Sequence, residues 1–264
     1  MKIAVAGKGG VGKTTIAGTL ARFLARDQYR VLAVDADPAM NLAYAIGVPL
    51  EEAARIVALS ENESLIEERT GARPGTSSGS VFSLTPKVDD IADKYGVRGA
   101  DGTRLLVMGT VKSAGGGCMC PSNSLLRALM RHIFVEKGEA VVMDMEAGLE
   151  HLGRGTIKGV DALLNVVEPR SQSIMVSSRI MNLASGLGVE SVLAVGNKVA
   201  DQKEETFLKE EVARMGIELV AMIPFDEKIA EADLARKAPL DFAPKSAAVQ
   251  VMKYLETLLK ERFE

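Results

Sequence analysis

Tryptophan is absent from this 264-residue chain, and aromatic side chains of all kinds make up only 4% of it. That scarcity removes the stacking platforms on which single-stranded nucleic acid is held. Neither sign of charge dominates: 32 Lys and Arg stand against 35 Asp and Glu, a formal net charge of −3. Nothing therefore draws the chain electrostatically to nucleic acid or to an anionic membrane, and neither is expected as a partner. No apolar run approaches the roughly 18 residues that a membrane span requires. The opening residues read as a first strand rather than a targeting segment, which makes the cytoplasm the expected compartment. Internal repeats and low-complexity tracts are missing, and cysteine nearly so, with two residues in all. What remains, 47% hydrophobic residues over this length, can bury a sizeable core and fits a single domain over residues 1–264 better than two.

Short apolar runs alternate with stretches of helical period. Strands are predicted near Lys2–Ala6, Val31–Val34, Leu105–Met108, Ala140–Met143, Ala162–Val167, Val192–Asn197 and Leu219–Ile223. Helical spacing appears at Ile16, Leu20 and Phe23 to Leu24, at Leu125, Leu129 and Ile133, and at Val249, Met252, Leu255 and Leu259. This βαβ rhythm predicts an α/β fold, a mainly parallel β-sheet flanked by helices on both faces. The last helix, Ser246 to Glu264, mixes Glu256, Glu261 and Glu264 with Lys253, Lys260 and Arg262, so it reads as packed or solvated rather than lipid-binding. Residues 73–80, rich in Gly and Ser, read as a loop, and with Tyr95 to Gly102 as a mobile insertion.

Between the first strand and first helix lies Gly7-Lys8-Gly9-Gly10-Val11-Gly12-Lys13-Thr14-Thr15. Glycines let the backbone turn so that its N–H groups face phosphate oxygens, and the helix start adds its positive dipole end. Lys13 is placed to reach the β- and γ-phosphates of a nucleotide, and Thr14 to give its hydroxyl to Mg²⁺. An ATPase or GTPase is the first reading. The second strand runs straight into Asp35-Ala36-Asp37-Pro38, and alternation sets both carboxylates on one side of the extending chain. Beside a nucleotide, one suits the water shell of the metal and the other an attacking water; a helix cap with an Asp-Pro turn is the competing use. Ala140 to Met143 ends in Asp144, followed by Met145-Glu146-Ala147-Gly148, an acid for Mg²⁺ with a glycine that lets a switch loop respond to the γ-phosphate.

Lys8 is a second lysine, placed early in the loop. The Lys8 to Thr15 run resembles the deviant P-loop of the ATPase class that contains the Min and ParA partition proteins and the nitrogenase iron protein. In that class the early lysine crosses a two-fold axis to the nucleotide of the other subunit, so the resemblance implies a homodimer that closes on ATP, with Lys8, Lys13 and Asp37 catalytic. It also implies Asp35 on the metal side, Asp37 on the water, and a base flanked by the loops at Asn197-Lys198 and Pro224. The Asn197 amide offers both a donor and an acceptor to an adenine edge, against the alternative of a surface turn.

Both cysteines lie in Gly115-Gly116-Gly117-Cys118-Met119-Cys120-Pro121, a glycine loop before a predicted helix. Such a placement favours thiolate chemistry over core packing. One Cys-x-Cys supplies two soft ligands, too few for a closed four-coordinate site; a two-fold dimer supplies four. That loop, together with Asp144-Met145-Glu146-Ala147-Gly148-Leu149-Glu150-His151-Leu152-Gly153-Arg154, resembles the CooC family of nickel-insertion ATPases. The resemblance spans the chain, although residues 51–103 carry no motif of it. It implies that Cys118 and Cys120 bind Ni²⁺ or Zn²⁺ between subunits. It implies, too, that ATP turnover is coupled to nickel delivery to carbon monoxide dehydrogenase, or to acetyl-CoA synthase for a close relative. On the residues alone, a redox-active pair, inert thiols and a bridging iron–sulfur cluster stay open, since ligand softness does not separate nickel, zinc and iron. A partition or positioning ATPase is the alternative of another class.

Overall fold

The computed structural model describes residues 1–75, 82–109, 120–133, 136–146 and 159–263. Eight strands appear among them: β1 (Lys2–Gly7), β2 (Arg30–Ala36), β3 (Val97–Arg98), β4 (Arg104–Val107), β5 (Glu139–Met145), β6 (Ala162–Val167), β7 (Val192–Val199) and β8 (Glu218–Pro224). The helices are α1 (Lys13–Arg26), α2 (Leu42–Ala45), α3 (Leu50–Ala53), α4 (Glu63–Thr70), α5 (Ile91–Tyr95), α6 (Cys120–His132), α7 (Ser171–Gly186), α8 (Gln202–Arg214), α9 (Glu227–Leu234), α10 (Pro239–Phe242) and α11 (Ala247–Phe263). The strands form one sheet in the order β3-β4-β2-β5-β1-β6-β7-β8. Every pairing is parallel except the edge pair β3·β4. None of the described helices is long and apolar enough to cross a membrane.

A central parallel strand buries both faces, so its residues divide by parity between two cores. Ile3 and Val5 of β1, Ala33 of β2 and Val142 of β5 face one side with Ile16, Leu20 and Leu24 of α1 and Val249, Met252, Leu255 and Leu259 of α11. Ala4 and Ala6, Val34 and Met143 face the other with Leu125 and Leu129 of α6 and Ile180 and Ala184 of α7. The apolar stripe of α11 is thus spent on the core, as its mixed charges suggested. Glu256 beside it is fully buried, between Lys253 at 2.9 Å and Lys260 at 3.5 Å.

All seven predicted strands are present, most of them one or two residues longer at an end, with β4 shifted by one residue to Arg104–Val107. The segment Tyr95 to Gly102, expected as a mobile insertion, is a correction. It holds β3, paired with β4 through Val97↔Leu105 and Arg98↔Arg104, and a 3-10 turn at Ala100–Gly102. What fixes the turn is Arg22, fully buried on α1, whose guanidinium donates to Asp101 and to both carboxylate oxygens of Asp241, each at 2.7 Å. One cation therefore ties the turn and α10 to the first helix; because Asp101 also pairs with Arg26 at 3.1 Å and the Asp241 side chain is 43% exposed, removing it costs about 1–3 kcal/mol. Of the loop expected at 73–80, residues 76–80 lie outside the described residues.

Candidate functional site

β1 ends at Gly7 and α1 begins at Lys13, so Lys8 to Gly12 cross from sheet to helix at the C-terminal edge of the sheet. Gly12 precedes α1 in a left-handed conformation (φ 98°), and no side chain caps the helix start. The first-turn N–H groups are left for a ligand. A Cβ on Gly12 would sit 2.3 Å from the Asn197 side-chain nitrogen, so only glycine fits there. Around this loop opens a cavity of about 980 Å³, whose walls include Gly9, Gly10, Gly12, Lys13, Thr14, Thr15, Asp37, Asn197, Lys198, Pro224 and Phe225.

Three carboxylates converge beneath the loop. Asp35 and Asp144 are register partners on β2 and β5, both fully buried. Thr14 donates its hydroxyl to Asp144 at 2.5 Å. Burial pushes Asp144 up to about 7, with the Thr14 hydrogen bond opposing and the nearby Asp35 adding. Burial likewise raises Asp35 to about 6, against backbone N–H donations from Leu42 at 2.9 Å and Asp37 at 3.1 Å. Both oxygens of Asp35 are therefore engaged in ordering the 37–42 turn, whereas Oδ1 of Asp144 is buried with no hydrogen-bond partner. A divalent cation fits this donor set: an orphaned carboxylate oxygen, a hydroxyl beside it and phosphate oxygens from a nucleotide. Asp37 leaves the strand and lines the cavity, its carboxylate 3.7 Å from the Lys13 ammonium and accepting from the Ala39 N–H. Lys13 is 5% exposed and donates to the Lys8 carbonyl at 3.4 Å.

Lys8 points along the edge to Glu168, 3.8 Å away, with a third of its side chain exposed. Glu168 is not among the predicted site residues, although it follows directly on β6 much as Asp35 and Asp144 stand at the ends of β2 and β5. Asn197 and Lys198 stand against the loop backbone: the Asn197 amide donates to the Val11 carbonyl at 2.7 Å and the Lys198 ammonium to the Gly10 carbonyl at 2.6 Å. Phe225, 55% exposed at the cavity wall, is a second residue the sequence did not flag.

Cys120 is the exposed first residue of α6 and is disulfide-bonded in this structure, while Cys118 and Gly148 lie outside the described residues. Opposite Cys120, Lys2 is buried and donates its ammonium to the Met130 and Ile133 carbonyls at the far end of α6, and burial lowers its pKa. On its side α6 packs against α4, and Ser124 donates to the Ser83 carbonyl at 2.8 Å. Part of the stretch without motifs thus braces the helix that carries Cys120. Among the described residues no group of three or more His, Cys, Asp or Glu side chains is placed to hold a metal.

The nucleotide-binding model described as "CobQ/CobB/MinD/ParA nucleotide binding domain" matches residues 2–240. The chain belongs to the CobQ/CobB/MinD/ParA family. Within that family it is 47% identical to the carbon monoxide dehydrogenase accessory protein CooC of Rhodospirillum rubrum over 92% of this chain and 91% of that protein. An uncharacterized ATP-binding protein of Methanocaldococcus jannaschii is 43% identical over 98% of both chains. The MinD/ParA-type fold is shared with the cell division ATPase MinD of Pyrococcus furiosus, at a TM-score of 0.71 and 21% identity over 98% of both chains. A ParA family ATPase of Chlorobium tepidum matches at 0.70 and 17% over 97% of both. The loop from Gly7 to Thr15 is thus part of a nucleotide-binding domain.

Proposed function

We propose that this protein is an ATP-dependent metallochaperone: it binds Ni(II) through Cys118 and Cys120 at a homodimer interface and couples ATP hydrolysis to nickel insertion into carbon monoxide dehydrogenase. The observation that carries the reading is a Cys-x-Cys in the sequence, its second cysteine opening α6, in a nucleotide-binding chain 47% identical to CooC. ATP lies with its phosphates on Gly9 to Thr15 and its base toward Asn197, Lys198 and Pro224. Thr14 and Asp144, with Asp35 behind them, would hold Mg²⁺, which would supply charge neutralisation at the phosphates. Lys13 turns from the Lys8 carbonyl and Asp37 to the β- and γ-phosphates. Asp37, released from that pair, orients a water for in-line attack on the γ-phosphorus; the bond to the ADP oxygen breaks and phosphate leaves. The apolar face of α11 is buried in the core, which removes that helix as the amphipathic anchor a membrane-positioning ATPase would use.

Nickel-dependent activation of nickel-free carbon monoxide dehydrogenase tests the proposal. The wild-type protein with ATP should accelerate activation at limiting nickel, and Asp37→Asn should not. Equal activation by both would contradict it, and activation of acetyl-CoA synthase in its place would reassign the client.

Dimer closure makes a separate prediction through Lys8. The Lys8–Glu168 pair is long, 3.8 Å, and the lysine end is a third exposed although Glu168 is buried; such a pair holds by about 1 kcal/mol, so the lysine is cheaply released to a nucleotide on the partner subunit. Lys8→Ala should weaken ATP-dependent dimerisation more than it weakens nucleotide binding by the monomer. Glu168→Gln, which frees the lysine, should strengthen dimerisation by no more than about fivefold for each of the two lysines of the dimer, about thirtyfold together. Sedimentation with a non-hydrolysable ATP analogue gives the answer, and a Lys8→Ala protein that dimerises normally would leave Lys8 as a loop residue.

A further inference from the structure

We infer that Asn197 and Lys198 are positioning residues for the phosphate-binding loop, holding its backbone ready for nucleotide whatever base is attached. The inference goes beyond the ATP reading and rests on it for the identity of the ligand.

The two residues close β7, where its pairing with β8 is interrupted between Gly196 and Val199. Lys198 adopts a left-handed conformation (φ 57°), a backbone state that a long side chain enters at a cost and that persists where surrounding contacts fix it. Here the contact is the Gly10 carbonyl, 2.6 Å from the lysine ammonium. Asn197, only 7% exposed, donates to the neighbouring Val11 carbonyl at 2.7 Å. Two successive peptide planes of the loop are thereby held from a strand some 186 residues away. A trans peptide carries its N–H opposite its C=O. Holding the Val11 carbonyl toward Asn197 therefore directs the Gly12 N–H the other way, and holding the Gly10 carbonyl does the same for the Val11 N–H, which is bonded to the Lys8 carbonyl at 3.2 Å. The Val11 N–H closes the turn within the loop, and the direction of the Gly12 donor is set before any phosphate arrives. Gly12 completes the fit, because a methyl group at that position would overlap the Asn197 amide. One amide hydrogen of Asn197 is committed to the loop, so an adenine edge is not what holds this side chain in place.

Asn197→Ala, Lys198→Ala and Lys198→Arg would be compared with wild type by titration of ADP and of inosine diphosphate, whose base carries an oxo group in place of the amino group. Asn197→Ala should weaken both nucleotides in parallel by about tenfold, the usual consequence of orphaning a buried carbonyl, so that their affinity ratio stays at the wild-type value. Hydrogen exchange of the peptide spanning residues 8–14 in the nucleotide-free protein supplies a readout with no base present. Exchange should quicken in Lys198→Ala, whose side chain is exposed and leaves no cavity, and return to the wild-type rate in Lys198→Arg. Loss of ADP affinity with inosine diphosphate unchanged would make Asn197 a base reader and overturn the inference. An unaltered exchange rate in Lys198→Ala would overturn it as well. A wild-type protein that bound neither nucleotide would instead sink the nucleotide reading itself, leaving the exchange result to judge the brace.

Discussion

Lys13→Ala should lose ATP affinity by on the order of a hundredfold or more, whereas Asp37→Asn should bind ATP within about threefold of wild type and hydrolyse it 10²–10⁴-fold more slowly. The contrast follows from where the two side chains stand. Lys13 is buried at the mouth of α1 with Asp37 as its ion-pair partner, 3.7 Å away. Removing the ammonium takes away the charge that answers the phosphates and leaves a carboxylate facing them, two losses of the same sign. Asp37 in the nucleotide-free protein competes with ATP for that ammonium. Its neutralisation therefore costs little in binding, and what it removes is confined to the reaction step, where the attacking water must be oriented. Nucleotide binding measured apart from single-turnover hydrolysis separates the two. Equal loss of binding in both variants would refute the assignment of Asp37 to the water.

The buried carboxyls give the second large effect, on stability. Asp35 and Asp144 are raised to about 6 and about 7 by burial, while an unfolded chain releases such protons near pH 4. Above that pH the folded state binds more protons than the unfolded state, so stability falls as pH rises through 4 to 7 and is lowest once both groups are ionised. Between pH 5 and pH 8 the loss for the two together is on the order of 4 kcal/mol in metal-free, nucleotide-free protein. Asp27, held near 2 by Lys260 and Lys253, acts in the opposite sense, but only below pH 4. Asp144→Asn should flatten much of the slope and be more stable than wild type at pH 8. Mg²⁺ with ADP, which favours the ionised site, should restore wild-type stability there by linkage. Urea unfolding at fixed pH values, with a chelator present, measures this. Stability constant or rising from pH 5 to pH 8 would show that burial does not hold these protons.

Much of this architecture was legible because its signals are local. A parallel strand buried on both faces is a short apolar run, and β2 and β5 announce their functional ends by breaking that run with Asp35 and Asp144. The glycine loop of the phosphate site is contiguous, and so is visible in one reading. β3 was not, since two residues, Val97 and Arg98, form an antiparallel edge with no periodicity to find. Nor was the ordering of the turn after it, which depends on Arg22 meeting Asp101 and Asp241, charges separated by 79 and 219 residues in the chain. Asn197 illustrates the limit of residue chemistry: its amide suits an adenine edge, yet only the fold shows that it is bonded to the Val11 carbonyl. Glu168 carried the same strand-end signal as the other two acids and drew no notice, because no motif surrounds it. Asp35 shows the converse, an acid read as a metal ligand whose two oxygens are both engaged by the backbone of the following turn.

Equilibrium Ni(II) titration under reducing, anaerobic conditions, alongside mass determination in solution, tests the central claim most directly. Once reduction has released Cys120 from its disulfide, two thiolates per chain closed across a two-fold axis make one site, so the protein should bind one tight Ni(II) per dimer and dimerise as it does so. The Cys118→Ala, Cys120→Ala double variant should lose both properties and keep its affinity for ATP. One tightly bound metal per monomer, or tight binding retained in the double variant, would contradict a site shared between subunits.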